Sequence, residues 1–231
     1  MDYSYLDKNV SRVREQIDNA RERTENKKDI SMVAAVKYAD IAEINYLCDR
    51  LGVTDIGENR VQQLLEHYEG LNNKSVNIHF IGTLQTNKVK YIVDKVCMIH
   101  SVDSQKLALE IDKQAKKRGV VMDVLVEINS GEEENKSGIS PSEAEELCLF
   151  ISQLSGVRLK GFMTMAPRCE NKQDYLKFFG ETYDLALDIW TKKLHNIGKP
   201  LLSMGMSESF EEAIECGSTM IRVGRQCFAK D

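Results

Sequence analysis

The sequence contains little proline, no long apolar run and no paired-cysteine motif. Only three of its 231 residues are proline, and no apolar run approaches the roughly 20 residues that span a bilayer. The N-terminus, MDYSYLDKNVSRVREQ, carries no hydrophobic signal core. These absences argue against a membrane protein and predict a cytoplasmic one.

Cysteine spacing and net charge argue against further classes of site. The six cysteines form no CxxC pair and have no histidine cluster nearby, so neither a zinc site nor a disulfide framework is expected. The net charge of −5 gives no electrostatic reason to expect nucleic acid, whose binders usually present a concentrated basic surface. The length and the ordinary globular composition predict one domain over residues 1–231.

Short β-branched runs alternate with segments of helical period from residue 30 onward, which predicts a parallel sheet wrapped by helices. Periodicity alone permits either a closed (β/α)₈ barrel or an open doubly wound sheet. The eight predicted strands are Ile30–Val36, Val53–Gly57, Asn77–Gly82, Val96–Val102, Val121–Asn129, Val157–Met163, Pro200–Met204 and Thr219–Gly224.

Two helix starts can be read from capping residues. Ser140 can cap a helix whose first turn contains Pro141, and Glu143 can complete a capping box. Asp40 and Glu43 repeat the same spacing. We therefore expect a helix to begin after each of these caps.

The N-terminal segment carries an amphipathic helical stripe. The chain ends seven residues after Gly224, which predicts no helix after the eighth strand. We hypothesise that the N-terminal helix covers the outside of the barrel where the eighth helix would lie. The apolar stripe consists of Leu6, Val10, Val13, Ile17 and Ala20.

Lys37 closes the first predicted strand. Its amine would emerge at the carboxyl end of that strand, which in a β/α barrel is the face where active sites are built. A partly desolvated amine at this place can attack an aldehyde. A solvated or ion-paired lysine at a strand end is the alternative interpretation.

A possible phosphate site follows the last two predicted strands. The segment LSMGMSE runs from the seventh strand into a helix predicted over Glu208–Cys216, and small residues before a helix let backbone N–H groups approach an anion. The eighth strand ends near Arg222, Gly224 and Arg225. Loops after strands seven and eight often bind phosphate in barrels. Ser207 can also serve simply as a helix cap, and both roles are compatible.

Several segments together resemble the YggS/PROSC family of pyridoxal phosphate homeostasis proteins. They include AAVKYADIAEI, DIGENRVQQL, IHFIGTLQTNKVK, LKGFMTMAP and LSMGMSESFEEAIECGSTMIRVG, in this order from about residue 30 to the end. The resemblance implies a (β/α)₈ TIM barrel like the N-terminal domain of alanine racemase, with pyridoxal 5′-phosphate (PLP) bound as a Schiff base to Lys37. It also implies a set of residues around the phosphate and the ring. These are Ser203, Met204, Ser207, Arg222 and Gly224, with Asn59 nearby.

Five positions give further expectations or departures from the family pattern. Thr83 replaces a histidine that is frequent in the family. Arg225, where many relatives carry a smaller residue, is expected to contact the phosphate, with a solvent-facing side chain as the alternative. Lys136 matches a family lysine that either receives and passes on cofactor or is an ordinary surface lysine. His79 and His100 lie in apolar strands and are expected to make core hydrogen bonds rather than to catalyse.

The resemblance and the residues favour a carrier over an enzyme. An arginine at the pyridine nitrogen, as the resemblance implies for Arg222, weakens the electron sink of PLP. Racemisation also needs two bases on opposite faces of the substrate; Lys37 can be one, and in alanine racemase the other is a tyrosine of a second domain. Tyr38 adjoins Lys37, but strand alternation predicts that it points to the other side.

We therefore expect a monomer that holds PLP for intracellular PLP homeostasis and exchanges it with PLP-dependent apoenzymes, without strong turnover. A monomeric PLP-dependent amino-acid racemase is the alternative from the enzyme class. A third alternative is a barrel that binds another phosphorylated ligand without covalent chemistry.

Overall fold

Eight parallel strands form a closed barrel in a computed structural model, which describes residues 2–24, 29–131, 137–193 and 199–230. Each strand pairs with the next along the chain, and the last strand pairs with the first. The strands are Ser31–Ala35 (β1), Asp55–Glu58 (β2), Asn77–Phe80 (β3), Met98–Val102 (β4), Met122–Ile128 (β5), Val157–Thr164 (β6), Leu201–Ser203 (β7) and Met220–Val223 (β8). The closed barrel, rather than the open sheet, is thereby confirmed.

Helices surround the barrel. They are Ser4–Glu22 (α1), Ile41–Asp49 (α2), Val61–Gly70 (α3), Val89–Ile92 (α4), Gln105–Arg118 (α5), Ala144–Ser152 (α6), Lys172–Lys193 (α7), Phe210–Glu215 (α8) and Arg225–Phe228 (α9). Short 3₁₀ turns precede α4 at Thr86–Lys88 and α6 at Pro141–Glu143. Within the described ranges, each helix is too short or too polar to cross a bilayer.

Both predicted capping boxes are present. The side chain of Asp40 accepts a hydrogen bond from the Glu43 backbone N–H at 2.8 Å, and the Glu43 carboxylate accepts one from the Asp40 backbone N–H at 2.9 Å. Ser140 and Glu143 form the equivalent pair before α6. These caps satisfy N–H groups that the first helical turn leaves without partners.

The helix predicted over Glu208–Cys216 is shorter in the structure. A turn closes first, with the Ser209 N–H donating to the Met206 carbonyl at 2.9 Å. Helical bonding starts only where Ala213 N–H donates to the Ser209 carbonyl at 3.0 Å. Ser207 therefore lies in a loop and does not cap α8.

Helix α1 covers the outside of β8 and β1, as hypothesised. Val13 and Ile17 pack in one buried cluster with Val223 of β8, and Val10 packs with Ala34 of β1. The expectation that no helix follows β8 is wrong, because the single turn of α9 fits into the few remaining residues. The Asn9 side chain joins the two helices by donating to backbone carbonyls in and after α9.

Alternation along the strands separates the barrel interior from its helical cover. Met98, Leu125 and Met163 fill a lower apolar layer inside the barrel. Gly161 brings β6 close to β7, since a Cβ there would lie 2.0 Å from the Leu201 carbonyl oxygen. Buried polar side chains share the barrel interior with this layer, and the carboxyl ends of the strands open into the candidate site.

Candidate functional site

A cavity of about 550 Å³ lies at the carboxyl ends of the strands. Apolar residues including Ala35, Ile81 and Met165 line part of it, and hydroxyl groups of Ser207 and Ser209 line another part. The structure brings six of the predicted site residues to this cavity. They are Lys37, Asn59, Ser207, Arg222, Gly224 and Arg225.

Lys37 lies in a turn just after β1. The Ala39 N–H donates to the Val36 carbonyl at 3.0 Å, and the Lys37 carbonyl accepts a hydrogen bond from the Gln63 side chain at 2.9 Å. These contacts fix the backbone at the end of the strand. The amine is therefore presented to the cavity from a well-defined position at the barrel mouth.

The expectation that Tyr38 points away from Lys37 is wrong. Tyr38 lines the same cavity, is 76% exposed, and has its ring centroid 5.0 Å from Lys37 Nζ. The physical reason is that β1 ends at Ala35, so the alternation of an extended strand no longer applies at Lys37 and Tyr38.

Arg222 is held rigidly at the base of the cavity. Its Nη1 donates to the carbonyl and the hydroxyl oxygens of Ser203 at 2.6 and 2.7 Å, and its Nη2 donates to the Thr164 carbonyl at 2.9 Å. Burial lowers the pKa of Arg222 to about 10, while Glu127 opposes the change. The guanidinium therefore stays protonated at neutral pH.

Ser203 and Met204 do not line the cavity. Ser203 faces the barrel interior behind Arg222, where its hydroxyl also contacts His100. Met204, the next residue, points the opposite way and packs in the core between barrel and helices. The expectation that Met204 belongs to the residues around the phosphate and the ring stays a prediction, and the structure shows that its side chain is buried in the core.

The loop after β7 meets Gly224 and the first turn of α9 at one side of the cavity. The Ser207 hydroxyl accepts a hydrogen bond from the Gln226 N–H at 3.4 Å, and the Gln226 side chain donates to the Ser207 carbonyl at 2.6 Å. A Cβ at Gly224 would lie 3.1 Å from the Ala35 carbonyl oxygen. These segments leave room for a small anion beside backbone N–H groups and hydroxyls.

Arg225 lies at the rim and already has a partner. Its Nη2 lies 2.9 Å from a carboxylate oxygen of Glu208, and its side chain is 70% exposed. Neither the predicted phosphate contact nor its solvent-facing alternative includes this ion pair. Lys136 lies outside the described residues.

His79 and His100 make buried hydrogen bonds, as predicted. Their exposed fractions are 3% and 0%, and His79 Nδ1 lies 2.9 Å from His100 Nε2. Sequence reasoning did not connect them to the site. Strand alternation could have shown the connection, because it places both histidines inside the barrel, on the same face of the sheet as Ser203 and Arg222. The Thr164 carbonyl leaves no comparable signal, because every residue carries a carbonyl.

Glu127 is a buried carboxyl group beside this polar layer and is 2% exposed. Burial, together with the nearby Asp103 carboxylate, raises the pKa of Glu127 to about 7, and Arg222 opposes the rise. The folded protein therefore keeps the Glu127 proton to a higher pH than the unfolded chain does. This contribution to stability is complete below about pH 4.5 and is lost as the pH rises through about 7.

We predict that Glu127→Gln becomes more stable relative to the parent protein as the pH rises. A change in pKa from 4.5 to about 7 corresponds to on the order of 3 kcal/mol. Urea unfolding of both proteins at about pH 5 and about pH 8 measures the difference. Because other titrating groups are common to both proteins, their effects largely cancel. A difference that does not change with pH would contradict a buried, protonated Glu127.

Comparison with known proteins gives consistent results. The family described as "Alanine racemase, N-terminal domain" matches residues 2–229. A protein of Aquifex aeolicus named "Pyridoxal phosphate homeostasis protein" is 40% identical over 221 residues, which cover 96% of each chain. PipY of Synechococcus elongatus PCC7942, solved with PLP bound, is 27% identical with a TM-score of 0.81, over 93% of this chain and 99% of PipY. An alanine racemase of Clostridium difficile, 20% identical, shares the fold with a TM-score of 0.76 over 99% of this chain and 57% of its own.

Proposed function

Because the chain belongs to the alanine racemase N-terminal domain family, and within it to the pyridoxal phosphate homeostasis proteins, we propose that it holds PLP on Lys37 as a Schiff base and acts in PLP homeostasis. The observation that carries the proposal is a single cavity. It combines the Lys37 amine, the Arg222 guanidinium and the loop after β7 with Gly224. We further propose that the protein works in the cytoplasm as a monomer and passes PLP to apoenzymes.

The groups around the cavity suit each part of PLP. The Lys37 amine suits the aldehyde, while the hydroxyl of Ser207 and the backbone beside Gly224 suit the phosphate. Ile81 and Met165 offer apolar contact to the ring. When bound, PLP supplies an aldehyde that condenses with amines and a ring that withdraws electrons.

Arg222 is the residue that would determine whether the ring nitrogen of bound PLP is protonated. A guanidinium only donates hydrogen bonds, so it favours a ring nitrogen that keeps its lone pair. Ser203 and Thr164 hold it in place through three hydrogen bonds. An unprotonated ring nitrogen withdraws electrons less strongly, which suits a carrier better than a general amino-acid catalyst.

The position of Tyr38 also bears on the racemase alternative. Racemisation needs a second base on the face of the substrate opposite the lysine. The Tyr38 ring lies beside Lys37 Nζ, with 5.0 Å between the amine and the ring centroid, so both groups approach from the same side. This placement supports the carrier over the racemase, because the phenol lies beside the lysine rather than apart from it.

We predict that the PLP-loaded protein exchanges the α-proton of amino acids no faster than an equal concentration of free PLP. The measurement is incorporation of deuterium from D₂O into a panel of free amino acids, followed by NMR. Tyr38→Phe is the matched variant and should give the same rate as the parent. Exchange at ordinary enzymatic rates of about 1 per second or more, lost in Tyr38→Phe, would instead support a racemase.

A further inference from the structure

A continuous series of hydrogen bonds runs through the barrel from the candidate site to its opposite end. The Ser203 hydroxyl, which contacts Arg222, lies 3.0 Å from His100 Nδ1. His100 Nε2 lies 2.9 Å from His79 Nδ1, and His79 Nε2 lies 2.9 Å from an oxygen of Asp55. Asp55 is the first residue of β2 and borders a separate surface hollow at the amino ends of β1 and β2.

The two ends of this series fix the position of each proton in it. Arg222 can only donate, so the Ser203 hydroxyl oxygen accepts from it. Among the described residues, the acceptor within reach of the Ser203 proton is His100 Nδ1. His100 therefore carries its proton on Nε2 and donates to His79 Nδ1. His79 in turn carries its proton on Nε2 and donates to the Asp55 carboxylate.

The charges of the participating groups agree with this direction. Burial, followed by the neighbouring His79 and by Arg222, lowers the pKa of His100 well below its ordinary value, so the ring is neutral. Burial alone would raise the pKa of Asp55, but hydrogen bonds from His79, Thr54 and Asn77 outweigh it and lower the pKa. The series thus joins the Arg222 guanidinium to the Asp55 carboxylate through two imidazole rings and one hydroxyl.

We propose that Asp55, His79 and His100 are positioning residues that set the hydrogen bonds of Arg222 toward the cofactor from the opposite end of the barrel. The inference rests on the proposed function. The carboxylate selects one tautomer of His79, which selects one tautomer of His100. The unprotonated Nδ1 of His100 then accepts a hydrogen bond from the Ser203 hydroxyl. The hydroxyl oxygen is thereby left to accept a hydrogen bond from Arg222.

Substitution of Asp55, His79 or His100 should change the hydrogen bonds that hold Arg222. In His100→Leu the buried Ser203 hydroxyl loses its hydrogen-bond acceptor. If the hydroxyl turns toward another acceptor, Arg222 loses one of the oxygens that hold it. In Asp55→Ala nothing holds the proton of His79 on Nε2, so His79 can carry it on Nδ1 instead. In that arrangement Ser203 faces two donors, and its own proton has no acceptor in the series.

The first test uses the protein without cofactor and with ¹⁵N-labelled histidine. Long-range ¹H–¹⁵N correlation at neutral pH should show His79 and His100 protonated on Nε2 alone. His67 provides a contrast in the same spectrum, because its Nδ1 lies 2.6 Å from the Glu58 carboxylate. Asp55→Ala should give a mixture of tautomers at His79 and His100. A proton on Nδ1 of either ring in the parent protein would overturn the inference.

The second test follows the visible absorption of the PLP-loaded protein as a function of pH. His100→Leu and Asp55→Ala should shift the pH midpoint of the band, and His100→Leu should weaken PLP binding by about tenfold, the effect of one hydrogen bond to a charged group. His100→Gln restores an acceptor and a donor, and should return both values toward those of the parent. Asp123→Ala is the matched control. It removes a carboxylate near the amino end of β5 that lies 2.5 Å from Arg158. It should change neither the pH midpoint of the band nor the affinity for PLP.

The outcomes separate this inference from the proposed function. If His100→Leu does not fold, Asp55→Ala and His100→Gln still decide the question. Bands that stay unshifted in folded Asp55→Ala and His100→Leu proteins, with PLP still trapped on Lys37, would overturn the inference alone. Failure of the parent protein to trap PLP on Lys37 would overturn the proposed function, while the tautomers of the cofactor-free protein would be unaffected.

Discussion

Lys37→Ala is expected to abolish covalent PLP capture and to weaken PLP binding by at least about a hundredfold, which corresponds to ~2.7 kcal/mol. The variant keeps the loop after β7 and Gly224 and keeps Arg222, so the remaining binding is noncovalent. The Lys37 side chain is half-buried at the cavity and belongs to a turn rather than to the core, so the fold should be unchanged. Spectrophotometric titration with PLP measures the loss of the visible band and of affinity.

Lys88→Ala is the matched control for this experiment. Lys88 belongs to a neighbouring groove that also touches Asn59, and its Nζ lies 5.8 Å from the Tyr91 ring centroid. The control removes a surface amine close to the cavity and should bind PLP like the parent protein. Equal binding by Lys37→Ala and the parent would refute the assignment of the covalent role to Lys37.

His67→Leu is expected to lower the free energy of unfolding by about 3–5 kcal/mol, because it leaves a buried carboxylate without its partner. Glu58 is 1% exposed, and its Oε1 lies 2.6 Å from His67 Nδ1. Its Oε2 has no hydrogen-bond partner in the described part of the chain. Since Glu58 ends β2 directly before Asn59, this pair also attaches α3 to the strand that reaches the cavity.

Denaturation by urea, followed by circular dichroism, measures this effect. His67→Gln retains a side-chain hydrogen-bond donor and should lose less stability than His67→Leu. Replacing both partners with leucine should recover much of the loss, because no buried charge then remains unpaired. A loss below about 1 kcal/mol for His67→Leu would show that Glu58 finds another partner or solvent.

The strands and several helix starts could be predicted because their signals are local. Parallel strands covered on both faces require β-branched runs, and each observed strand ends within two residues of its predicted bounds. Capping boxes such as Asp40 with Glu43 involve residues only three apart. Lys37 could be placed at the barrel mouth for the same reason, since it directly follows such a run.

The errors arose where a strand end or a distant contact decides the structure. Tyr38 was assigned by alternation, but β1 ends before it. Alternation along β7 could have placed the Met204 side chain in the core, on the opposite face from Ser203. The ion pair of Arg225 with Glu208 joins the first residue of α9 to the loop after β7, and no local pattern in the sequence encodes it.

Reductive trapping of the unmodified protein shows directly whether Lys37 binds PLP covalently. The protein is supplied with PLP, reduced with borohydride, digested and mapped by mass spectrometry. We expect a pyridoxyl adduct on the peptide that contains Lys37. An adduct confined to other lysines, or no adduct in protein saturated with PLP, would contradict this expectation.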